Sequence, residues 1–326
     1  MITSIGIIGV GGVGGYFGGK LCRLQDAAGG VNVSFVARGE HLMAIQKSGL
    51  VLRSEADGEL VCKPTLATDD FRALPPLDLC LICVKEFDLA AALSRLEPLV
   101  GDHTILLPLL NGVDVYSRVR KVLKKGVLLP ACVYVGTHIE SPGRVFQKGG
   151  ACKILFGSDP VRVDFPRDEL SALFKAAGIN AEWTPAIQSE IWMKFIFICA
   201  FGLVSAAYSK TLGEILDEDA LRHAAQDIMG EAILLAKALG ISLPENIAET
   251  SIAKARGFPY AAKTSFQRDF ERFDKSDERD LFAGSMLRMA AELRIAVPKT
   301  REVASILEKR KPASNQTSLN YQPSIS

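Results

Sequence analysis

The chain has 326 residues, of which 48% are hydrophobic, and it carries a formal net charge of +1. This length and apolar content suit two domains with cores of their own. The small net charge and the lack of a basic block exclude nucleic acid as a main partner.

Cysteine usage and the distribution of apolar residues bear on the compartment. The seven cysteines are scattered and lie mostly in apolar runs, which favours reduced thiols in a cytoplasmic protein. Cys80 and Cys83 form a C-x-x-C pair inside a predicted buried strand, one on each face, which disfavours a metal or redox role. Residues 1–4 lack the features of a signal peptide, so none is expected. The longest apolar run, 195–207, is shorter than the ~20 residues of a membrane span and predicts a buried helix, hence no membrane partner.

Short apolar strands alternate with helical segments over residues 1–183. This alternation predicts an α/β domain of Rossmann-like type, built on a largely parallel sheet. The predicted strands are Ser4 to Ile8, Asn32 to Val36, Leu77 to Val84 and Thr104 to Leu107. Three later β runs, "VLLPACVYVGTHIE", "GRVFQKGG" and "CKILFG", are expected to add antiparallel strands to the far side of this sheet.

A cluster of glycines follows the first strand in "IGVGGVGGYFGG". Gly9, Gly11 and Gly14 match the pattern G-x-G-x-x-G, and Gly12 lies among them. Between a strand and a helix, such glycines let a pyrophosphate approach the backbone at the helix N-terminus. The pattern therefore predicts a dinucleotide site, with a purely structural turn as the alternative.

Polar residues follow the next strands. Arg38 stands after the second strand, where NAD-binding domains carry an acidic residue for the ribose 2′-hydroxyl. Because a guanidinium suits a 2′-phosphate, it favours NADP(H) as cofactor, although an ordinary surface arginine is the alternative. Lys85 and Asn111 end or follow later strands and should lie at the same ligand-binding edge of the sheet.

Helical periodicity dominates after "AEWTPAIQSE" and predicts an all-α domain over residues 184–312. One helix is predicted from Asp217, as its capping residue, to Leu239, with Gly240 ending it. Residues 313–326 are polar and aperiodic, so we expect a disordered tail. The apolar faces of the helical domain favour a homodimer.

The order and spacing of several motifs make the chain similar to the ketopantoate reductase (2-dehydropantoate 2-reductase) family. These motifs run through nearly the whole sequence: "IGIIGVGGVGGYFGGKL", "VSFVARGEHL", "CVKEFD", "LLNGV", "WMKF", "TSFQRDFERFDKSDERDLFAGSML" and "RIAVPKTRE". The resemblance implies an NADPH-binding domain followed by a helical domain, with the active site between them. It also implies reduction of a 2-keto acid to a 2-hydroxy acid on the pathway to pantothenate.

The resemblance implies roles for individual residues. Lys194 matches the lysine that acts as general acid, and Asn111 the asparagine that positions this lysine and the cofactor. Ser265 matches a serine that binds the substrate, and Glu278 a carboxylate that binds its hydroxyl. Without the resemblance, Lys194 is a charged residue at the start of an apolar helix, and Glu278 belongs to a solvated charged face. An apparent extra residue before Glu278 leaves Asp277 as a rival.

Asp269 and Asp280 also match family positions, and we expect them to give structural support.

Three family asparagines are replaced by Ile198, Gly202 and Ala283. A more apolar and roomier substrate pocket is therefore expected, because lost polar contacts change substrate preference strongly. Ketopantoate is the first candidate substrate, and a bulkier or less polar 2-keto acid is the alternative. Two other classes stay open: an NADPH sensor without turnover, and a dehydrogenase acting on an imine, a sugar acid or a secondary alcohol.

Overall fold

The structure is a computed structural model and describes residues 1–25, 30–55, 57–273 and 276–311. It divides into two compact units, residues 1–195 and residues 196–326. The first combines strands and helices, and the described elements that lie wholly in the second are helical. The predicted fold class, a Rossmann-like α/β domain followed by an all-α domain, is confirmed. The predicted tail, 313–326, lies outside the described residues.

The first unit is built on a six-stranded sheet in which every described pairing is parallel. Its strand order is β5-β2-β1-β6-β7-β8. Residues on its central strands are almost fully buried, among them Ile5, Ile7, Leu79 and Leu81, as expected for a sheet covered on both faces. The strands are β1 (Ser4–Ile8), β2 (Asn32–Val36), β5 (Leu66–Thr68), β6 (Leu79–Ile82), β7 (Ile105–Pro108) and β8 (Val127–Leu128).

Two smaller sheets complete the strands of this unit. The four-stranded sheet has the order β10-β11-β3-β4, and the three-stranded sheet has the order β13-β12-β9. Both mix parallel and antiparallel pairs. Their strands are β3 (Leu50–Ser54), β4 (Gly58–Cys62), β9 (Ala131–Tyr134), β10 (Thr137–Ser141), β11 (Arg144–Gln147), β12 (Lys153–Phe156) and β13 (Asn180–Trp183).

Among the described residues, five α-helices lie within the first unit, and a sixth crosses into the second. They are α1 (Gly12–Cys22), α2 (Gly39–Ser48), α3 (Glu86–Leu96), α4 (Val115–Val122), α5 (Arg167–Ala176) and α6 (Ile187–Tyr208). Helix α1 packs against β10, β11 and β3, as well as the central sheet. Its glycines make this packing close, since a Cβ on Gly15 would lie 2.7 Å from Val145.

In the second unit α8 contacts α7, α9, α11 and α12. A π-helical turn over Asp280–Gly284 leads into α11. Besides the end of α6, the described helices are α7 (Leu212–Asp217), α8 (Asp219–Ala238), α9 (Ile247–Arg256), α10 (Ser265–Phe270), α11 (Ser285–Leu293) and α12 (Pro298–Arg310).

Helix α6 is 22 residues long and has a mean hydropathy of 1.8 over its most apolar window. It is the one helix among the described residues that is long and apolar enough to cross a membrane, and 72% of that window is buried. Such burial is also typical of the core helix of a water-soluble protein. The helix exceeds the apolar run 195–207 because it begins earlier, at Ile187.

The seven cysteines are free thiols. Burial raises the pKa of Cys22, Cys62, Cys80, Cys83 and Cys199. Cys80 lies in β6, whereas Cys83 follows that strand, so the two are not both strand residues as predicted. The described residues contain no cluster of three or more His, Cys, Asp or Glu placed to hold a metal ion.

The structure corrects two predictions, one for the later β runs and one for a helix. The β runs after residue 127 do not simply extend the large sheet antiparallel, because β8 joins it parallel and β9, β10, β11 and β12 form separate sheets. The helix predicted from Asp217 is two helices: Thr211 caps α7 in a capping box with Glu214, and α8 starts at Asp219. Gly240 ends α8 as predicted, with a φ of 73°.

Candidate functional site

Four predicted site residues follow four strands of the parallel sheet. Gly9 follows β1, Arg38 follows β2, Lys85 follows β6 and Asn111 follows β7. Because the strands are parallel, these residues lie along one edge, where doubly wound folds bind their ligands. Lys85 is exposed and directly precedes α3, while Asn111 is half-buried.

The glycines of the turn after β1 differ in whether the fold requires them. Backbone conformation or packing requires all but one of those described next. Gly9 has a φ of 94°, and a Cβ on Gly14 would lie 2.1 Å from the Gly9 carbonyl oxygen. A Cβ on Gly12 would lie 2.7 Å from Thr137 Oγ1. A Cβ on Gly11 would meet nothing within 4 Å. The open space beside Gly11, at the N-cap of α1, is what a pyrophosphate against the backbone needs. These residues therefore fit a dinucleotide.

Arg38 is exposed and pairs with Asp88, a residue in the first turn of α3. Its position after β2 is the one from which a side chain reaches the ribose 2′ position of a bound dinucleotide. The guanidinium suits the 2′-phosphate of NADP. The sequence analysis did not single out Asp88, because "CVKEFD" does not show that this carboxylate pairs with Arg38, which follows a different strand.

Arg118 joins the loops that carry Lys85 and Asn111. Its guanidinium bonds to Glu86 at 2.8 Å and forms an ion pair with Asp114 at 2.9 Å. All three side chains are at most one-fifth exposed, so water screens these two ion pairs less than pairs on the surface. The network ties the loop after β6 to the loop after β7.

Lys194 lies in the third turn of α6 and belongs to the first unit. The prediction that it begins a helix is wrong, because the helix starts seven residues earlier. Its ammonium donates to Asn111 Oδ1 at 2.8 Å and to the Val133 carbonyl oxygen at 2.5 Å. The structure thus brings together Lys194 and Asn111, two residues 83 positions apart.

The ring of Tyr134 lies beside this ammonium, with its centroid 5.4 Å from Lys194 Nζ. Burial raises the pKa of Tyr134, as does the neighbouring Cys132. The phenol therefore stays neutral, and the ring face offers the cation a favourable electrostatic contact. Neither Tyr134 nor the Val133 carbonyl could be found from a motif, since one acts through its ring and the other through its backbone.

Ser265 is exposed and starts the short helix α10. The preceding Thr264 caps this helix by accepting from Gln267 N, and its hydroxyl lies 2.9 Å from Ser205 Oγ of α6. These bonds fix the backbone next to Ser265 to the second unit's core.

Asp277 and Glu278, the two rival carboxylates, have different surroundings. Arg279 bonds to both oxygens of Asp277 at 2.9 Å, and Lys311 lies 3.2 Å away. Burial alone would raise the pKa of Asp277, but Arg279 and Lys311 outweigh it and lower the pKa. Asp277 is therefore part of a buried ion-pair network. Glu278 is also buried, with 5% of its surface exposed, and its role as the site carboxylate stays a prediction.

Asp280 pairs with Arg288 of α11, which agrees with the supporting role expected of it. Asp269 lies half-buried in α10.

The residues that replace the family asparagines are apolar, and two of them lie on α6. Ile198 and Gly202 lie four and eight residues after Lys194, on the same side of α6. A Cβ on Gly202 would lie 3.6 Å from Phe266, whose ring packs 5.1 Å from that of Phe282. Phe266 therefore occupies space beside Gly202. The more apolar and roomier substrate pocket stays a prediction.

Comparison with known proteins gives the family of the chain. Residues 5–160 match the model of the family described as ketopantoate reductase PanE/ApbA, and residues 186–311 match the model of its C-terminal domain. The chain belongs to the ketopantoate reductase family. A relative from this family, 2-dehydropantoate 2-reductase of Mesorhizobium japonicum, is 30% identical over 292 residues, 82% of this chain and 86% of the relative.

Solved structures share the fold over almost the full length. A ketopantoate reductase of the PanE/ApbA family from Ralstonia eutropha is 28% identical, with a TM-score of 0.85 over 95% of this chain and 98% of that chain. D-mandelate dehydrogenase, solved with NADH and anilino(oxo)acetate, is 18% identical, with a TM-score of 0.82 over 95% of this chain and 98% of its own. At that identity the second likeness concerns the fold alone.

Membership of the ketopantoate reductase family establishes the reaction class. The protein is an NADP-dependent oxidoreductase acting on CH–OH groups, and its cofactor is NADP(H). Its activity is NADPH-dependent reduction of a 2-keto acid. The cofactor predicted from the glycine turn and Arg38 is confirmed.

Proposed function

We propose that the protein reduces ketopantoate to pantoate, with Lys194 as the general acid. The observation that carries the proposal is the pair of hydrogen bonds that the Lys194 ammonium donates to Asn111 Oδ1 and to the Val133 carbonyl oxygen. A cation held by a side-chain oxygen and a backbone oxygen has a defined direction. A lysine whose ammonium only extended into solvent would be hydrated by water and would not need these two protein acceptors.

NADPH, when bound along the edge formed by Gly9, Gly11, Gly12, Gly14, Arg38, Lys85 and Asn111, supplies the hydride. Negative charge then develops on the substrate's carbonyl oxygen. Lys194 Nζ stabilises this charge and gives the oxygen a proton, which leaves a 2-hydroxy acid. Asn111 Oδ1 and the Val133 carbonyl keep the ammonium in place while the proton moves.

Ser265 and Glu278 are the proposed substrate residues of the second unit. The exposed Ser265 hydroxyl can donate to the keto acid. The Glu278 carboxylate, which is nearly excluded from water, accepts a hydrogen bond from a substrate hydroxyl. Ketopantoate carries such a hydroxyl, which is why retention of Glu278 supports it as substrate.

A 2-keto acid with a less polar side chain is the second candidate. It is favoured by Ile198 and Gly202 in place of asparagines and by Phe266 packed against Gly202. These residues offer a substrate apolar contact where hydrogen-bonding side chains are expected in the family.

We extend the proposal to a homodimer in the cytoplasm. Free thiols are typical of a reducing compartment. Large apolar side chains remain exposed on the second unit, for example Leu234 and Phe258.

Steady-state oxidation of NADPH tests both candidates with one enzyme preparation. We expect a higher kcat/KM for ketopantoate than for its analogue without the hydroxyl, 2-keto-3,3-dimethylbutyrate, and than for phenylglyoxylate. Ile198→Asn should raise the ketopantoate value, while Ile191→Asn, on an earlier turn of α6, serves as the matched control. A preference for either apolar acid would replace ketopantoate with the second candidate. NADPH binding without turnover of any acid would contradict both and indicate a sensor.

A further inference from the structure

The Arg38–Asp88 pair crosses the carboxyl end of β1. In the sheet, β1 lies between β2 and β6, and Ile8 is in register with Val36 on one side and Ile82 on the other. Two strand spacings, about 9–10 Å, separate β2 from β6. Arg38 follows β2 and Asp88 follows β6, so their contact passes over the glycine turn that follows β1.

The contact is easily opened. The Arg38 side chain is 74% exposed and that of Asp88 is 29% exposed. An exposed ion pair contributes little to stability, because water screens it and two side chains must be held in place. A dinucleotide that binds at the glycine turn therefore meets both charged groups at its adenosine end.

The two groups have opposite preferences for that end. A 2′-phosphate carries about −1.5 to −2 charges at neutral pH, so it is attracted to the guanidinium and repelled by the carboxylate. A ribose 2′-hydroxyl, by contrast, donates well to a carboxylate, which is how NAD-binding domains use their acidic residue. Here the acidic residue comes from α3 instead of from the end of β2.

We propose that Asp88 is a cofactor-selectivity residue that reduces the preference of this protein for NADPH over NADH. It does so by holding Arg38 across the glycine turn and by placing a carboxylate where either a 2′-phosphate or a 2′-hydroxyl must lie. The proposal concerns the cofactor and does not depend on which keto acid is reduced.

The dissociation constants of NADPH and NADH, measured by titration calorimetry without keto acid, test this role. Asp88→Asn keeps the side-chain volume and removes the charge. We expect it to tighten NADPH binding about threefold to tenfold and to leave NADH binding equal or weaker. The matched control is Glu59→Gln. It removes the carboxylate of another exposed ion pair, Arg144–Glu59, which lies in the four-stranded sheet. This control should leave both constants unchanged.

Binding of 2′,5′-ADP and 5′-AMP isolates the adenosine end and should show the same change in ratio. High salt should reduce the difference between wild type and Asp88→Asn, because screening weakens exposed charges. A weaker binding of NADPH by Asp88→Asn, or an unchanged NADPH-to-NADH ratio, would overturn the proposal. The variant's melting temperature should match the wild type, and Asp88→Ser provides a second neutral variant for the same titration.

Discussion

The proposed proton donor and the proposed substrate residues belong to different compact units. Lys194 shares the first unit with the glycine turn, Arg38 and Asn111, and its contacts there are hydrogen bonds. Ser265 and Glu278 belong to the second unit, as do the apolar replacements Gly202 and Ala283. This division suggests a general lesson. The proposed proton donor and the cofactor residues can stay the same in one unit while the residues that select the substrate change in the other.

The largest effect should come from Lys194→Ala. Loss of the general acid and of its charge should lower kcat about 10²–10⁴-fold, while the dissociation constant of NADPH changes little. Single-turnover oxidation of NADPH with saturating keto acid measures the chemical step. Lys237→Ala, at the end of α8, is the control lysine. An unchanged kcat would mean that another group donates the proton. The division between a reaction unit and a substrate unit would then no longer hold.

The next effect separates the neighbouring carboxylates. Asp277→Asn should destabilise the second unit by about 3 kcal/mol at neutral pH, because Arg279 and Lys311 lose their buried partner. Glu278→Gln should instead lower kcat/KM for the keto acid. Urea unfolding and steady-state kinetics on both variants test this. Equal effects of the two substitutions on turnover would mean that both carboxylates serve the substrate.

The Asp277 effect should depend on pH in one direction. Its folded pKa is lowered, so its contribution to stability is full above the unfolded value of about 3.9 and is lost as pH falls through the folded value. Unfolding free energies of the wild type and Asp277→Asn should therefore converge in acid.

A smaller effect tests the glycine turn. Gly11→Ala should leave stability nearly unchanged, because its Cβ would meet no protein atom within 4 Å, yet weaken NADPH binding about tenfold. Gly14→Ala should destabilise the fold itself, since its Cβ would lie 2.1 Å from a carbonyl oxygen. Calorimetry and thermal melting distinguish the two. Unaltered NADPH affinity in Gly11→Ala would mean that the cofactor does not approach this backbone.

The sequence predicted the features that depend on local pattern. The first two strands match the structure to the residue, because their apolar runs are bounded by turn residues. The glycine turn and the cofactor followed from a motif whose physical reason lies in the backbone. Strand β4 was missed because its exposed residues weaken the apolar signal, and β5 because it has only three residues.

Features that depend on distant contacts could not be predicted. Nothing in "WMKF" shows that Val133 accepts from Lys194, because a carbonyl leaves no sequence signal. The position of Phe266 against Gly202 also required the fold. Likewise, nothing in the sequence shows that Asp277 pairs with Lys311, so Asp277 and Glu278 stayed rivals at that stage.

The buried cysteines give the protein internal reporters of its own opening. The thiolate is the form that alkylating reagents attack, and burial both hides these thiols and raises their pKa. Cys22 and Cys80 report on the first unit and Cys199 on the second. Alkylation followed by peptide mass analysis would therefore show which unit opens first under mild denaturant, and no cysteine would have to be introduced for it.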